Sequence, residues 1–288
     1  YAWTPTGYGF LDFDRARKGP YFWDLLRFMG SLRLWSKDFD PENFLLFKNY
    51  YIKAFSDKNF HVSPPFFLRE SFFKLLTEAY QNNEKINPKW NKKLTKKGSQ
   101  TTKSLQESLL GVYLKKSKER FLSTNLKLKR SLVVEGSFLK KHFVYEFEEE
   151  KRNYLLDIKE TYSLKNNDYF FHDFKEEGER MIAASDLYAP QLEQGVFSFS
   201  HQNNDYWCRE IPLVQAKVKT LKTYEAKDLT KSAAVQLAKA HKKTVNQSES
   251  LKLLAHLEAH FKEFESFSFG ILIPISSSQL NKFSSTVR

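Results

Sequence analysis

Apolar positions along the chain change period several times. In the opening run YAWTPTGYGFLDFD, aromatic and aliphatic residues flank a Pro- and Gly-bearing TPTG, which predicts strand, tight turn, strand. RARKGP follows as a loop. YFWDLLRFMGSLRLW then carries apolar residues at 22, 25, 26, 29, 32 and 34–35, the recurrence of a helix. The helical rhythm continues from 41 to about 80 in PENFLLFKNYYIKAF and SPPFFLRESFFKLLTEAY. Pro41 and Pro65 stand where a first helical turn tolerates them. The rhythm then stops. Residues 81–104 hold seven lysines and one acidic residue, Glu84, and read as an exposed loop or insertion.

After Arg130 the period shortens. LVV, HFVYEF and NYLLDIK predict three strands, the first two joined by a turn at Glu135-Gly136-Ser137 and the second pair by EEEKR. A helix follows over DFKEEGERMIAASDLY. Two more strands, GVFSFS and YWCREI, stand on either side of HQNND, and helices resume in DLTKSAAVQLAKAHKK and SESLKLLAHLEAHFKEFESF. The expected order is a strand pair, helices, a five-strand block holding one helix, then helices. No internal repeat interrupts it.

Composition narrows the class. The chain has 288 residues, 41% of them hydrophobic, with only 10 Gly and 9 Pro, which excludes disordered, collagen-like and linker-dominated chains. Its 27 Phe and 14 Tyr follow no fixed period and are expected in cores. One cysteine, Cys208, excludes an intrachain disulfide framework and a Cys-rich zinc site. No apolar run approaches the roughly 20 residues of a membrane span, FGILIPI at 269–275 being far too short. Nor does the start combine a basic and an apolar region as a secretory signal does, so a cytoplasmic protein is expected. The net charge of +12 is compatible with nucleic acid, anionic lipid, a phosphorylated small molecule or plain solubility, and decides nothing by itself. A nucleic-acid patch at 81–104 is weighed below a solvated connector, so nucleic acid is not an expected partner.

Several residues suggest chemistry. Asp12 and Asp14 end a strand and point to opposite faces, where one of them is placed to bind Mg²⁺ together with a phosphate. Capping a turn is the plainer role for either. Asp24, on the next helix, is expected to hold the neighbouring loop. In the five-strand block, a Gly-bearing turn, a strand ending in Ile158-Lys159 and an acidic helix form a known arrangement for nucleotides. The turn approaches the phosphates, the lysine reaches them, and a helix carboxylate positions the lysine. Glu176, Glu177 and Glu179 are candidates for that carboxylate, and Glu179 is preferred. The segment Tyr206–Pro212 is expected to offer backbone groups to an adenine edge. Among the histidines only His256 and His260 have metal-like spacing, with no third ligand nearby. Cys208, between Trp207 and Arg209, is expected in the core.

One run then resembles a known family. GFLDFDRARKGPYFWDLLRFMGS resembles the "DFDE…GPWEWDLKRLAAS" signature of the bacterial family called domain of unknown function 2252 and, more loosely, a segment of aminoglycoside and choline kinases. YLLDIKET is similar to that family's "LFLQVKEA", GERMIAASD to "GQRVVxGQRxMQAASD", YWCREI to "YYVRQL" and VQLAKAHKKT to "LARAHARS". Together these span roughly residues 8–245. The resemblance implies an α+β, bilobal, protein-kinase-like fold in circularly permuted order. Residues 1–125 would begin a mainly helical large lobe, 126–215 would form an antiparallel five-stranded small lobe, and 216–288 would return to the large lobe.

The resemblance also implies roles. Asp12, with Asp14, would bind the metal, and Lys159 would bind phosphate, making Asp12 and Lys159 the catalytic pair. Gly136 and Ser137 would cover the phosphates, Glu179 would hold Lys159, and Glu210 and Ile211 would face the nucleotide base. Asp24 and Arg27 would be structural. ATP and Mg²⁺ are the implied cofactors, a small molecule of unknown kind the implied acceptor. The family's "HGDxHxxN" motif is expected upstream of Tyr1. Where the family has "GVGSVG", this chain has VVEGSF with one glycine. That thinning favours a second reading, a kinase-like nucleotide-binding or regulatory module without turnover.

Overall fold

The TPTG turn closes as expected. Thr4 N donates to Gly7 O (2.9 Å) and Gly7 N to Thr4 O (3.3 Å), pairing β1 (Ala2–Trp3) antiparallel with β2 (Tyr8–Gly9). A third short strand, β8 (Ala216–Lys217), pairs antiparallel along the other side of β1. Its two residues are too few to show a period. The structure is a computed structural model that describes residues 1–11, 16, 21–36, 40, 42–96, 103–117, 127–135, 141–149, 152–161, 174–218 and 221–270.

The fold is mixed α+β, with eight helices and two antiparallel sheets among the described residues. The chain forms two units, each from two stretches of sequence. One unites Tyr1–Gly19 with Phe66–Val218, the other Pro20–Pro65 with Lys219–Arg288. The divisions thus fall at 19/20, 65/66 and 218/219, while the change in sequence texture comes after Arg130.

The first unit is organised by a five-stranded sheet of order β3-β4-β5-β7-β6. Its strands are β3 (Lys127–Glu135), β4 (Lys141–Glu149), β5 (Arg152–Glu160), β6 (Phe197–His201) and β7 (Asn204–Ile211). Gln202 and Asn203, at φ 49° and 63°, make the two-residue turn between β6 and β7. Two successive left-handed residues match the twist of a tight hairpin. Registers through β4, β5 and β7 run without interruption, so the sheet's two faces separate cleanly.

One face holds Phe143, Tyr145, Phe147, Leu156, Ile158, Phe199, Tyr206 and Cys208, all buried. Leu109 and Tyr113 of helix α5 (Lys103–Ser117) pack onto it. Tyr113 stacks on Phe197 at 5.2 Å and Phe199 on Tyr206 at 5.4 Å. Much of the aromatic content goes into this core. Burial pushes the Tyr113 and Tyr145 hydroxyls well above the ordinary tyrosine range.

The expected connector at 81–104 is instead largely structured. Helix α3 (Phe66–Gln81) is followed by a turn in which Glu84 N–H donates to Ala79 O at 2.9 Å, and helix α4 spans Pro88–Lys96. The reason lies in three apolar residues among the lysines. Ile86, Trp90 and Leu94 recur every fourth position and pack as one stripe on Leu132, Val144 and Leu155 of the sheet. A lysine-rich segment can therefore fold, because its few apolar side chains share one side.

The second unit is helical: α1 (Phe22–Trp35), α2 (Glu42–Ser56), α7 (Thr223–Thr244) and α8 (Gln247–Gly270). Helix α2 buries Phe44, Phe47, Tyr51 and Phe55 at helical spacing, while α7 buries Ala226, Ala233, Ala234 and Ala238. Large rings on α2 and small residues on α7 let these two helices approach closely. Lys227 of α7 pairs with Asp40 (2.8 Å) and Glu42 (3.2 Å).

Candidate functional site

Lys159 lies on the second face of the five-stranded sheet. Strand side chains alternate, so Leu155, Asp157 and Lys159 share that face. Their cross-strand neighbours complete it: His142 and Trp207 beside Lys159, Val144 and Arg209 beside Asp157, Glu146 and Ile211 beside Leu155. The face is polar at the Lys159 end and apolar in the middle, where α4 covers it.

At the polar end the charges form one connected group. Asp157 is 1% exposed. Its carboxylate meets His142 Nδ1 at 3.2 Å and Arg209 Nε at 3.6 Å. Arg209 also bonds Glu193, which accepts a hydrogen bond from Ser185 Oγ at 3.4 Å. The Arg209 guanidinium lies over the Trp207 ring, 5.0 Å from its centroid. Burial opposes the Asp157 charge. The hydrogen bond with His142 and the charges of Arg209, His142 and Lys159 nevertheless outweigh it, and hold the carboxyl below the ordinary aspartate range. Burial and the nearby Asp157 charge push the Cys208 thiol well above its ordinary value. A buried thiol of that kind is a core residue, as expected, and not a nucleophile.

Helix α6 (Glu177–Tyr188) packs over this same end of the face. Gly178 lies against Ser198, the register neighbour of Trp207, and against the Tyr206 carbonyl, so the helix backbone meets the sheet directly. Glu177 N donates to Asp205 Oδ2 at 3.0 Å. The inward acid is Glu177, 2% exposed and bonded to Arg180 Nε at 2.9 Å. Glu179, the residue preferred from sequence, is exposed. With Met181, Ile182 and Ala183 apolar in a row, spacing alone leaves the orientation of this helix open. The close approach of Gly178 fixes it and turns Glu179 outward.

The same helix meets the opening strand pair. Phe10 N donates to Tyr188 O at 3.1 Å, and Leu11 and Ala16 pack on the cluster of Ala2, Ala184, Ala189 and Leu192. Arg180 bonds the carbonyl of Ala16. Asp12 and Asp14, between these anchors, lie outside the described residues, as do Gly136 and Ser137. Among the described residues no three His, Cys, Asp or Glu side chains gather as a metal set, His256 and His260 included.

The segment expected to face an adenine edge is differently engaged. Glu210 N donates to Gln194 O at 2.8 Å, and Ile211 pairs with Leu155 and packs beside the α4 stripe. The carbonyls of Pro212 and Leu213 both accept from Asn87 Nδ2, at 3.1 and 3.2 Å. Glu210 and Ile211 therefore serve the sheet and its cover. The strand ends at Ile211 as the run YWCREI predicts, and the capping of the next two carbonyls by Asn87 is what a local reading misses.

In the helical unit Asp24 meets a histidine of α7. His241 Nε2 lies 3.1 Å from Asp24 Oδ2, and His241 Nδ1 lies 2.8 Å from the Tyr51 hydroxyl. A neutral imidazole satisfies both contacts when Nε2–H donates to Asp24 and Tyr51 O–H donates to Nδ1. Asp24 thus ties α1 to α7. Arg27 is on the exposed side of α1 and takes no visible part in that role.

Comparison with protein-family models, with curated proteins and with solved structures returns no match. Function must therefore be argued from the site alone. Of its residues, Asp157, His142, Arg209 and Glu193 escaped the sequence reading. Asp157 left one trace: a carboxylate flanked by apolar residues in LLDIK, two positions before Lys159 and so on its face.

Proposed function

We propose that this protein is a kinase-like, nucleotide-binding module in which Lys159 meets the phosphates, with ATP and Mg²⁺ as cofactors and phosphotransfer to a small molecule as its activity. The observation that carries this reading is the position of α6. Its Gly178 end packs over the sheet face that bears Lys159, and its Arg180 and Tyr188 contact the stretch bracketing Asp12 and Asp14. One helix thus brings together the two segments that phosphotransfer would need, a phosphate-binding lysine and a metal-binding carboxylate. The strand–strand–strand–helix–strand–strand order supports the same reading, with Lys159 on the third strand and the helix next.

Lys159 would hold phosphate, on the face that also carries His142, Asp157 and Arg209. ATP bound here would supply the transferable phosphoryl group and Mg²⁺ its charge neutralisation. A second reading, a nucleotide-binding or regulatory module without turnover, is favoured by two observations. Glu179 is exposed, and the apolar middle of the face is covered by Ile86, Trp90 and Leu94.

A thermal-shift measurement tests the reading. Mg-ATP at about 100 times its Kd stabilises by about 2.7 kcal/mol, a rise of several degrees in Tm, and Lys159→Ala abolishes it. No shift with the wild-type protein at 10 mM Mg-ATP, an on-the-order-of saturating dose for ordinary sites, overturns both readings. A shift with no ADP formed over hours selects the second.

A further inference from the structure

The six lysines Lys85, Lys89, Lys92, Lys96, Lys127 and Lys129 are all exposed. They are not scattered along a loop. Lys89, Lys92 and Lys96 stand at i, i+3 and i+7, which places them on one side of α4, opposite the Trp90 and Leu94 side that is pinned to the sheet. Two further bonds fix that helix, from Arg130 to Asn91 Oδ1 (2.9 Å) and to Thr95 Oγ1 (3.3 Å). Lys127 and Lys129 begin β3, the strand that α4 packs against. Lys129 bonds Glu148 at 2.9 Å, and Lys127 and Lys85 are near enough to act on the same carboxylate.

The carboxylates in this region are largely committed. Glu146 is buried against Arg130 and Asn153, Glu148 is taken by Lys129, and Glu84 accepts from Asn91 at 3.1 Å. What faces solvent is an excess of ammonium groups held on a rigid helix and strand. Helix α3 carries an aromatic row: Phe66, Phe73 and Tyr80 are 63%, 55% and 67% exposed at seven-residue spacing. Tyr80 lies in the last turn of that helix, shortly before Lys85 in the chain, and its carbonyl accepts from Asn83 N at 3.0 Å.

We propose that this surface binds single-stranded nucleic acid, with the lysines of α4 and β3 on the phosphates and Tyr80 as a stacking platform for a base. Phosphodiester anions recur along a strand and suit lysines spaced along a helix. The exposed ring decides between polyanions. An acidic peptide has no use for it, whereas stacking on an aromatic face is the sequence-tolerant way of holding an unpaired base. The inference does not rest on the kinase-like reading, since Lys159 takes no part in it.

The test is fluorescence anisotropy of the 288-residue chain with a labelled, mixed-sequence 20-nucleotide RNA, from 50 to 300 mM KCl. Affinity is expected to fall with salt with a log–log slope of about −3, since each neutralised phosphate on a single strand contributes about −0.7. K89E/K92E/K96E is expected to weaken binding at 50 mM salt at least about tenfold and to flatten that slope. Tyr80→Ala is expected to weaken it about fivefold or more without changing the slope, the stacking contribution alone being lost. K85E/K127E/K129E is a second charge variant that decides should the first fail to fold by circular dichroism. Absence of RNA binding by wild type at 50 mM salt, or unchanged binding by a folded charge variant, overturns the proposal. So does displacement of RNA by polyglutamate at equal charge concentration, which would make the surface a site for acidic peptides.

Discussion

Replacing Asp157 by Asn removes one charge from the group beside Lys159 and leaves its volume nearly unchanged. Asp157 is 1% exposed, lies 3.2 Å from His142 Nδ1 and 3.6 Å from Arg209 Nε, and shares its sheet face with Lys159. Hydrogen bonds to charged groups contribute about 1.5–3 kcal/mol, and breaking a buried ion pair from one side costs about 3–5 kcal/mol. Two features lower the second figure. The Arg209 side chain is 27% exposed and keeps Glu193 as a second partner. A loss of about 2–3 kcal/mol remains, drawn from those same ranges. For a unit of this size, that is a fall in Tm of roughly 4–12 °C, or about 1 M in the urea midpoint.

The pH dependence gives a sharper reading of the same variant. The folded Asp157 carboxyl sits below the ordinary aspartate value, so its stabilisation is present above the unfolded value of about 3.9 and is lost as pH falls through the lower folded value. The gap between wild type and Asp157→Asn, followed by urea titration with tryptophan fluorescence, is therefore full at pH 5–7 and narrows below about pH 4. A loss under about 0.5 kcal/mol at pH 7, the scale of an ordinary surface change, refutes the view that this carboxylate organises the group. A gap that stays constant down to pH 3 refutes the assignment of its effect to charge.

Two further outcomes test the packing on which the site depends. Leu94→Ala is expected to cost about 2–4 kcal/mol in chemical denaturation, because Leu94 is 7% exposed against the sheet; a cost under about 0.5 kcal/mol would return this segment to a surface connector. Gly178→Ala places a Cβ into Ser198 and 2.8 Å from the Tyr206 carbonyl, and is expected to destabilise by about 1–3 kcal/mol even though alanine is the better helix former by about 1 kcal/mol. Unchanged or raised stability would mean that α6 does not seat on the sheet through this residue.

Most of the elements follow from local residue spacing. Strong periods are local properties, so the opening hairpin, the five strands, α6 and the helices α1, α2, α3, α7 and α8 were legible from residue spacing. The aromatic core was legible too, since Phe and Tyr at alternate positions of β4 and Phe at alternate positions of β6 leave each strand only one way to face. Legibility ended where a decision depended on a neighbour distant in sequence. Ile86, Trp90 and Leu94 count as a stripe only because Leu132, Val144 and Leu155 accept them. Glu177 turns inward and Glu179 outward because Gly178 allows α6 to lie on Ser198 and Tyr206. Asp157 becomes the centre of a charged group only because register sets His142 and Arg209 beside it from two other strands. Asp24 finds His241 across more than two hundred residues. Spacing records which face a side chain joins; only the tertiary structure decides what waits on that face, because contact energies fall off within a few ångströms and the chain brings distant segments to those distances only when it folds.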